Sequence, residues 1–216
     1  GEVSFKEMER TGFSEWKKAL ENRQYRLKEI RLTASGVSKE CDVVLMAGPH
    51  YELLPKEIEW LQKLPGKGKS LLLLIDPMDA SEGKSFVRLL EPFGLRLGPN
   101  VVVDKVSRVF GGDFLVPMIT QYVEHPVTQR FRAATFLPIA RTVARAREVP
   151  AGVQVTELAH TTEGSWAETD LKRLETGEAD FDPKTDFAGP LSLAAAVEIS
   201  GSRVAVVGDS DFLINA

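Results

Sequence analysis

Short apolar runs alternate with stretches of mixed polarity along the chain, and the two kinds of stretch have different periods. The apolar runs at 42–46, 70–75 and 101–103 predict buried strands. Between these runs, apolar residues recur at helical spacing after Pro55 and from Phe86 to Phe93. Strands and helices that alternate in this way predict an α/β fold. We expect a Rossmann-like or flavodoxin-like, mainly parallel sheet with helices on both faces.

The pattern changes twice along the chain, which predicts three parts. They are an α/β core over 1–124, a smaller inserted segment with β-strands over 125–186, and a return to the core sheet over 187–216. In the last part, the sequence Ser200-Gly201-Ser202 separates two apolar runs and predicts a hairpin turn.

Charge is distributed unevenly over the inserted segment. Residues 130–147 contain five arginines and no acid, whereas residues 157–186 contain nine acids and three basic residues. These opposite charges either face each other or solvate the surface, or they form a surface on which a partner docks. The whole chain has a formal net charge of -4, which gives no electrostatic reason to expect nucleic-acid binding.

Several chemistries lack the residues that they need. No strand is followed by Gly-x-Gly-x-x-Gly or by a Walker lysine loop, so we predict no nucleotide cofactor. Cys41 is the only cysteine, which excludes an internal disulfide and a cysteine zinc cluster. The three histidines are scattered, without metal-ligand spacing and without a nucleophile beside them. We therefore predict no catalytic residue, no metal site and no cofactor.

Carboxylates follow two of the predicted strands directly. Asp76 and Asp79 follow the run at 70–75, and Asp209, Ser210 and Asp211 follow the run at 204–207. Ligands of α/β sheets bind beyond the carboxyl ends of strands, so these residues are candidates for binding a ligand or a hard cation. The alternative, which we expect, is structural. Asp209 or Ser210 caps a helix that begins near Phe212, and Asp211 lies in its positive first turn.

Two further candidates lie in polar, aromatic-bearing stretches. His125 belongs to the stretch 122–128, and Trp166 belongs to the stretch 161–166. Both stretches suit a loop that contacts a ligand or a partner. The alternative for Trp166 is that it packs between the parts of the protein.

The motifs, taken in order, resemble a known family. They are Asp42-Val-Val-Leu-Met-Ala-Gly-Pro49, Gly66-Lys-Gly-Lys-Ser-Leu-Leu-Leu-Leu-Ile-Asp-Pro77, His125-Pro-Val-Thr128, Gly164-Ser-Trp166 and Arg203-Val-Ala-Val-Val-Gly-Asp-Ser-Asp-Phe212. This series resembles the auxiliary, extracytoplasmic domain of uncharacterised ABC-type transport systems, the group that includes the gliding-motility component GldG. The resemblance runs from about Trp16 to Ala216.

The resemblance implies an α/β domain related in fold to amidotransferase-like and intraflagellar-transport domains, without established catalysis. It implies ABC permease and ATPase subunits as partners, and a membrane tether through segments absent from this chain. It also implies a location on the extracytoplasmic (periplasmic) face of the cytoplasmic membrane. Our hypothesis is a non-catalytic domain that binds a ligand or partner or acts as a scaffold. The alternatives are an amidotransferase-like or metal-assisted hydrolase, and a solute-binding protein, which needs a deep cleft between two lobes.

Overall fold

The structure, a computed structural model, describes residues 12–30, 41–78, 82–109, 113–177 and 180–215. Its α-helices are α1 (Ser14–Asn22), α2 (Pro55–Gln62), α3 (Lys84–Leu90), α4 (Lys105–Val109) and α5 (Leu171–Glu175), and short 3-10 helices span Pro65–Lys67, Glu91–Phe93 and Asp211–Leu213. Its strands are β1 (Val43–Ala47), β2 (Ser70–Leu74), β3 (Leu95–Leu97), β4 (Val101–Asp104), β5 (Met118–Ile119), β6 (Gln121–Tyr122), β7 (Thr135–Phe136), β8 (Val143–Arg145), β9 (Val153–His160), β10 (Ser165–Glu168), β11 (Phe187–Ala188), β12 (Ser192–Ile199) and β13 (Ser202–Val207). Among the described helices, none has the length and apolar character that crossing a membrane requires.

The central sheet has six strands in the order β1-β2-β13-β12-β9-β6. Strands β1, β2 and β13 run parallel to one another, whereas β12, β9 and β6 pair antiparallel with their neighbours. Three smaller sheets pair β11-β10-β4, β3-β8 and β5-β7. Strand β9 comes from the predicted inserted segment and lies within the central sheet.

The prediction of a Rossmann-like, mainly parallel sheet with helices on both faces is wrong. The sheet is mixed because β12 and β13 are joined by a two-residue turn, and so short a connection reverses the chain direction. Ser200 and Gly201 in this turn have φ angles of 51° and 75°, the conformation that tight hairpins require. The predicted hairpin is therefore confirmed, and together with the antiparallel strands β9 and β6 it makes the sheet mixed.

The two faces of the central sheet are covered differently, which also departs from the prediction. On one face, Leu61 of α2 and Phe86 and Leu89 of α3 pack in one apolar cluster with residues of β1, β2, β13 and β12. On the other face, residues of β9 and β12 pack against Val102 of β4 and Ile119 of β5. Strands and loops, rather than helices, therefore cover the face of the sheet that β9 and β12 present here.

Helix α1 is attached to the end of the described chain. Phe13, which precedes the helix, is fully buried against Ala47 and Leu74. Asn215 supplies the cap of α1, since its Oδ1 accepts the backbone N–H of Glu15 at 2.9 Å, and its own backbone N–H donates to the carbonyl of Gly12 at 2.9 Å. We call this contact between the segments at 12–15 and 215 the terminal clasp.

Candidate functional site

The carboxyl ends of the three parallel strands form one edge of the sheet, and two of the predicted aspartates lie there. Ala47, Leu74 and Val207 are neighbours in the register of β1, β2 and β13. Asp76 and Asp209 each follow the last residue of their strand by two positions. The loops after β2 and β13 therefore bring these residues together at this edge, which we call the strand-end edge.

Asp76 and Ser210 are joined by two hydrogen bonds across the strand-end edge. The backbone N–H of Ser210 donates to Asp76 Oδ1 at 2.5 Å, and its hydroxyl donates to Oδ2 at 2.7 Å. Ser210 is only 1% exposed. Both oxygens of Asp76 are thus engaged by one residue, and the carboxylate ties the loop after β2 to the loop after β13.

Asp209 is fully buried beside this pair. Its Oδ1 accepts the backbone N–H of Asp211 at 2.8 Å, where the short 3-10 helix begins. Its Oδ2 is buried without a hydrogen-bond partner. Burial raises the pKa of Asp209 to about 8, and the charges of Asp76 and Asp211 add to this effect, while the backbone N–H groups of Asp211 and Phe212 oppose it. At neutral pH, Asp209 is therefore mostly a neutral carboxylic acid.

Asp209 thus satisfies a backbone N–H at the start of a single 3-10 turn. Asp211 lies within that turn and is partly exposed. Burial raises the pKa of Asp211, and the charge of Asp76 contributes in the same direction. Carboxylates concentrated in this way disfavour one another's ionisation.

Arg141 supplies the positive charge behind the strand-end edge, and the sequence analysis did not place it there. It is 4% exposed. Its Nε and Nη2 donate to the carbonyl of Gly98 at 2.9 and 2.6 Å, and its Nη1 donates to the carbonyl of Asp76 at 3.2 Å. Burial lowers the pKa of Arg141 to about 10, against the opposing effect of the charge of Asp76. The guanidinium is thus held by backbone carbonyls.

The sequence carried one indication of the burial of Arg141. Its neighbours Leu137, Ala140 and Val143 are apolar, and all three are buried. Arg132 also has apolar neighbours, Phe131 and Ala133, but all three are exposed. The apolar neighbours of Arg141 are consistent with a buried, hydrogen-bonded guanidinium, but such neighbours do not by themselves predict one.

The chemistry that this arrangement can perform is limited by its internal bonding. The Ser210 hydroxyl donates its hydrogen to a carboxylate in a buried site, and both Asp76 oxygens are already occupied. Within the described residues, no group of three or more His, Cys, Asp or Glu side chains has an arrangement that holds a metal ion. The contacts join two loops and the start of a helical turn.

The remaining predicted site residues lie in other elements. Asp79 lies outside the described residues. His125 follows β6 and is half-buried, and its Nδ1 accepts the backbone N–H of Val127 at 3.2 Å. Trp166 lies in β10 and is 3% exposed. Its ring packs edge-on against Phe181 and beneath the ammonium group of Lys105, with centroid distances of 6.4 and 5.2 Å.

Large apolar side chains are exposed at the strand-end edge, and the sequence analysis did not select them. Tyr51 and Leu54, in the loop after β1, are 74% and 65% exposed, and Phe212 is 37% exposed. The loop is held in place by Glu52, whose carboxylate accepts the backbone N–H groups of Lys84 and Ser85 at 2.9 and 2.8 Å. The edge therefore combines polar residues bonded within the fold and apolar residues directed at solvent.

Comparison with known proteins supports this description of the fold. The structure superposes on the mmIFT52 N-terminal domain with a TM-score of 0.66 at 16% identity, covering 94% of this chain and 81% of that one. A putative thua-like protein from Bacteroides uniformis gives a TM-score of 0.43 at 13% identity, covering 81% of this chain and 66% of that one. The second value is too low to support an argument. No curated protein sequence matches the chain.

The family is established by sequence. The family model described as "ABC-type uncharacterized transport system" matches residues 7–216. The chain therefore belongs to this family of auxiliary domains of ABC-type transport systems, as its motifs led us to expect.

Proposed function

We propose that this chain is a non-catalytic docking domain of its ABC transport system, which contacts the permease and, through it, the ATPase. The observation that supports this proposal is the division of roles at the strand-end edge. Asp76, Asp209 and Ser210 bond to the fold itself, whereas Tyr51 and Leu54 in the loop after β1 and Phe212 in the turn after β13 are exposed. Exposed apolar groups on a rigid support are typical of protein interaction sites.

We place the domain on the extracytoplasmic side of the membrane, in accordance with the family resemblance. Cys41 is the only cysteine of this chain, so an introduced cysteine can report the side of the membrane once Cys41 and any cysteine outside this chain are replaced by serine. Glu163→Cys, at an exposed position, is expected to react in intact cells with a maleimide that does not cross the membrane. Labelling that requires disruption of the cells would contradict this location.

Site-specific photo-crosslinking tests the docking edge directly. A photoreactive phenylalanine analogue at Tyr51 or Phe212 is expected to crosslink to the permease when the transport system is co-expressed. Phe187 is the matched control, because it is an exposed aromatic residue, at 56%, in strand β11. Crosslinks at Phe187 but not at Tyr51 or Phe212 would exclude the strand-end edge as the docking site.

The hydrolase alternative predicts a different outcome in a second experiment. If the strand-end carboxylates hold a catalytic metal ion, then Mg²⁺, Ca²⁺, Mn²⁺ or Zn²⁺ must raise the melting temperature by mass action. We expect no rise with any of them. A rise that is abolished by Asp209→Asn or Asp211→Asn would overturn the structural assignment and favour the enzyme.

A further inference from the structure

The loop that contains His125 exposes apolar and basic side chains together. Over residues 123–132, which we call the basic-apolar loop, Val123, Val127 and Phe131 are 39%, 67% and 43% exposed. Arg130 and Arg132 are exposed in the same loop. Glu124 is its only acid. Within the part of the chain that the structure describes, neither arginine forms an ion pair.

Hydrogen bonds within the loop hold these side chains in the exposed positions. The Thr128 hydroxyl donates to the carbonyl of Val123 at 2.5 Å, and the backbone N–H groups of Thr128 and Gln129 donate to the carbonyl of His125. Phe131 packs edge-on against Tyr122, with ring centroids 5.2 Å apart. The Tyr122 hydroxyl lies 2.6 Å from Thr135 Oγ1, which joins β6, the strand before the loop, to β7, the strand after it. The exposure is therefore a property of an ordered turn.

The size and charge of the loop favour a lipid surface over a protein partner. A stable protein interface needs roughly 20–30 residues a side, and this loop offers three apolar side chains. Peripheral membrane contact needs only a few apolar groups that enter the headgroup region and cations that meet anionic headgroups. The net charge of -4 on the chain opposes general attraction to an anionic membrane, so binding must come from a local patch.

We propose that the basic-apolar loop is a docking site for anionic phospholipid headgroups. In this arrangement, Val127 and Phe131 enter the interface, and Arg130 and Arg132 contact lipid phosphates. The loop follows β6, which is the outermost strand of the central sheet on the side opposite to β1. This proposal does not depend on docking to the permease through the strand-end edge.

Vesicle co-sedimentation of the domain, without transporter subunits, tests the proposal. We expect binding to vesicles of equimolar phosphatidylglycerol and phosphatidylcholine, little binding to pure phosphatidylcholine, and weakening at high ionic strength. Each arginine contributes about fivefold to binding near an anionic surface, so Arg130→Glu with Arg132→Glu is expected to weaken binding by roughly 25-fold or more. Val127→Ser with Phe131→Ser is expected to weaken binding without changing its dependence on salt.

Matched control variants lie elsewhere on the surface. Arg203→Glu changes an exposed arginine in β13, and Phe187→Ser changes an exposed aromatic residue in β11. Both are expected to bind vesicles as the wild type does. Absence of wild-type binding at low ionic strength, or equal losses in the control and loop variants, would overturn the proposal. Unfolding curves of all variants show whether a loss of binding reflects a loss of structure.

Discussion

Gly208 and Arg141 meet through their backbones. The N–H of Arg141 donates to the carbonyl of Gly208 at 2.8 Å, and a Cβ atom at Gly208 would lie 2.0 Å from the carbonyl oxygen of Arg141. The end of β13 can approach the arginine this closely only because residue 208 has no side chain. Gly208 is therefore required because it has no side chain, whereas Asp209 acts through a hydrogen bond.

Gly208→Ala is expected to lower the free energy of unfolding, because the added methyl group overlaps a backbone oxygen that cannot rotate away. Overpacking of this kind typically costs about 1–3 kcal/mol, and we expect a loss of this size for Gly208→Ala. Urea unfolding measures the loss. Gly66→Ala is the control, since its Cβ would meet no atom within 4 Å. Equal stability of the two variants would contradict the close approach.

Arg141→Lys is expected to destabilise the protein although the charge is kept. An ammonium group cannot reproduce the three donor atoms that reach the carbonyls of Gly98 and Asp76. Loss of hydrogen bonds from a charged group costs roughly 1.5–3 kcal/mol. Arg145→Lys, at an exposed position, is expected to change the stability by less than about 0.5 kcal/mol. A similar change for both variants in urea unfolding would show that the Arg141 contacts contribute little.

The contribution of Asp209 to the stability of the folded protein is expected to fall as the pH rises from about 4 to about 8. Asp209 has a folded-state pKa raised to about 8, so over this range the native state holds a proton that the unfolded state releases. The unfolded state then binds fewer protons, and the free energy of unfolding decreases with pH. Above about pH 8, both states are ionised at this residue and its contribution is constant.

Asp209→Asn is expected to remove most of this slope and to gain stability relative to the wild type as the pH rises towards 8. Urea unfolding at several pH values between 4 and 9 measures the effect. Asp170→Asn alters an exposed aspartate that caps α5 through the backbone N–H of Lys172, and it is expected to retain the wild-type slope. A slope that persists in Asp209→Asn would assign the pH dependence to other groups.

Ser210→Ala and Asp76→Asn are expected to be coupled in a double-mutant cycle. The hydroxyl bond between the two residues has a side-chain carboxylate as its acceptor, and bonds of this kind contribute roughly 1.5–3 kcal/mol. Ser202→Ala provides a matched control, because the buried Ser202 hydroxyl donates at 2.9 Å to a neutral acceptor, the carbonyl of Pro65. The cost of Ser202→Ala is expected to be smaller. Additive effects of Ser210→Ala and Asp76→Asn would mean that the bond does not stabilise the fold.

The local elements could be predicted from the sequence, whereas the class of the sheet could not. The apolar runs that end at Ile75 and Val207 predicted strands whose ends gather Asp76 and Asp209, and the structure places these residues together. Whether the strands run parallel or antiparallel depends on which distant strands pair, and local sequence patterns do not show this. The short turn at Ser200 and Gly201 indicated an antiparallel pairing for one pair of strands only.

The candidate site likewise combines a local interaction that the sequence indicates and tertiary contacts that it does not. Capping by Asp209 is a local interaction that the spacing of Asp209 and Asp211 indicates. The approach of Arg141 to Asp76 joins residues 65 positions apart and has no local signal beyond the apolar neighbours of the arginine. The exposure of Tyr51 also depends on tertiary contacts, since Glu52 fixes its loop to the start of α3.

The terminal clasp has a mechanical consequence. Residues 12 and 215 are adjacent, so a force that pulls on the two segments in opposite directions acts first on the bonds between Asn215 and the start of α1. These bonds can open one at a time, and the packing of Phe13 would yield after them. Beyond the clasp, the chain reaches α1 at Ser14 on one side and β13 of the central sheet at Val207 on the other, eight positions before Asn215. Tension across residues 12 and 215 would therefore reach both elements only after the clasp had opened.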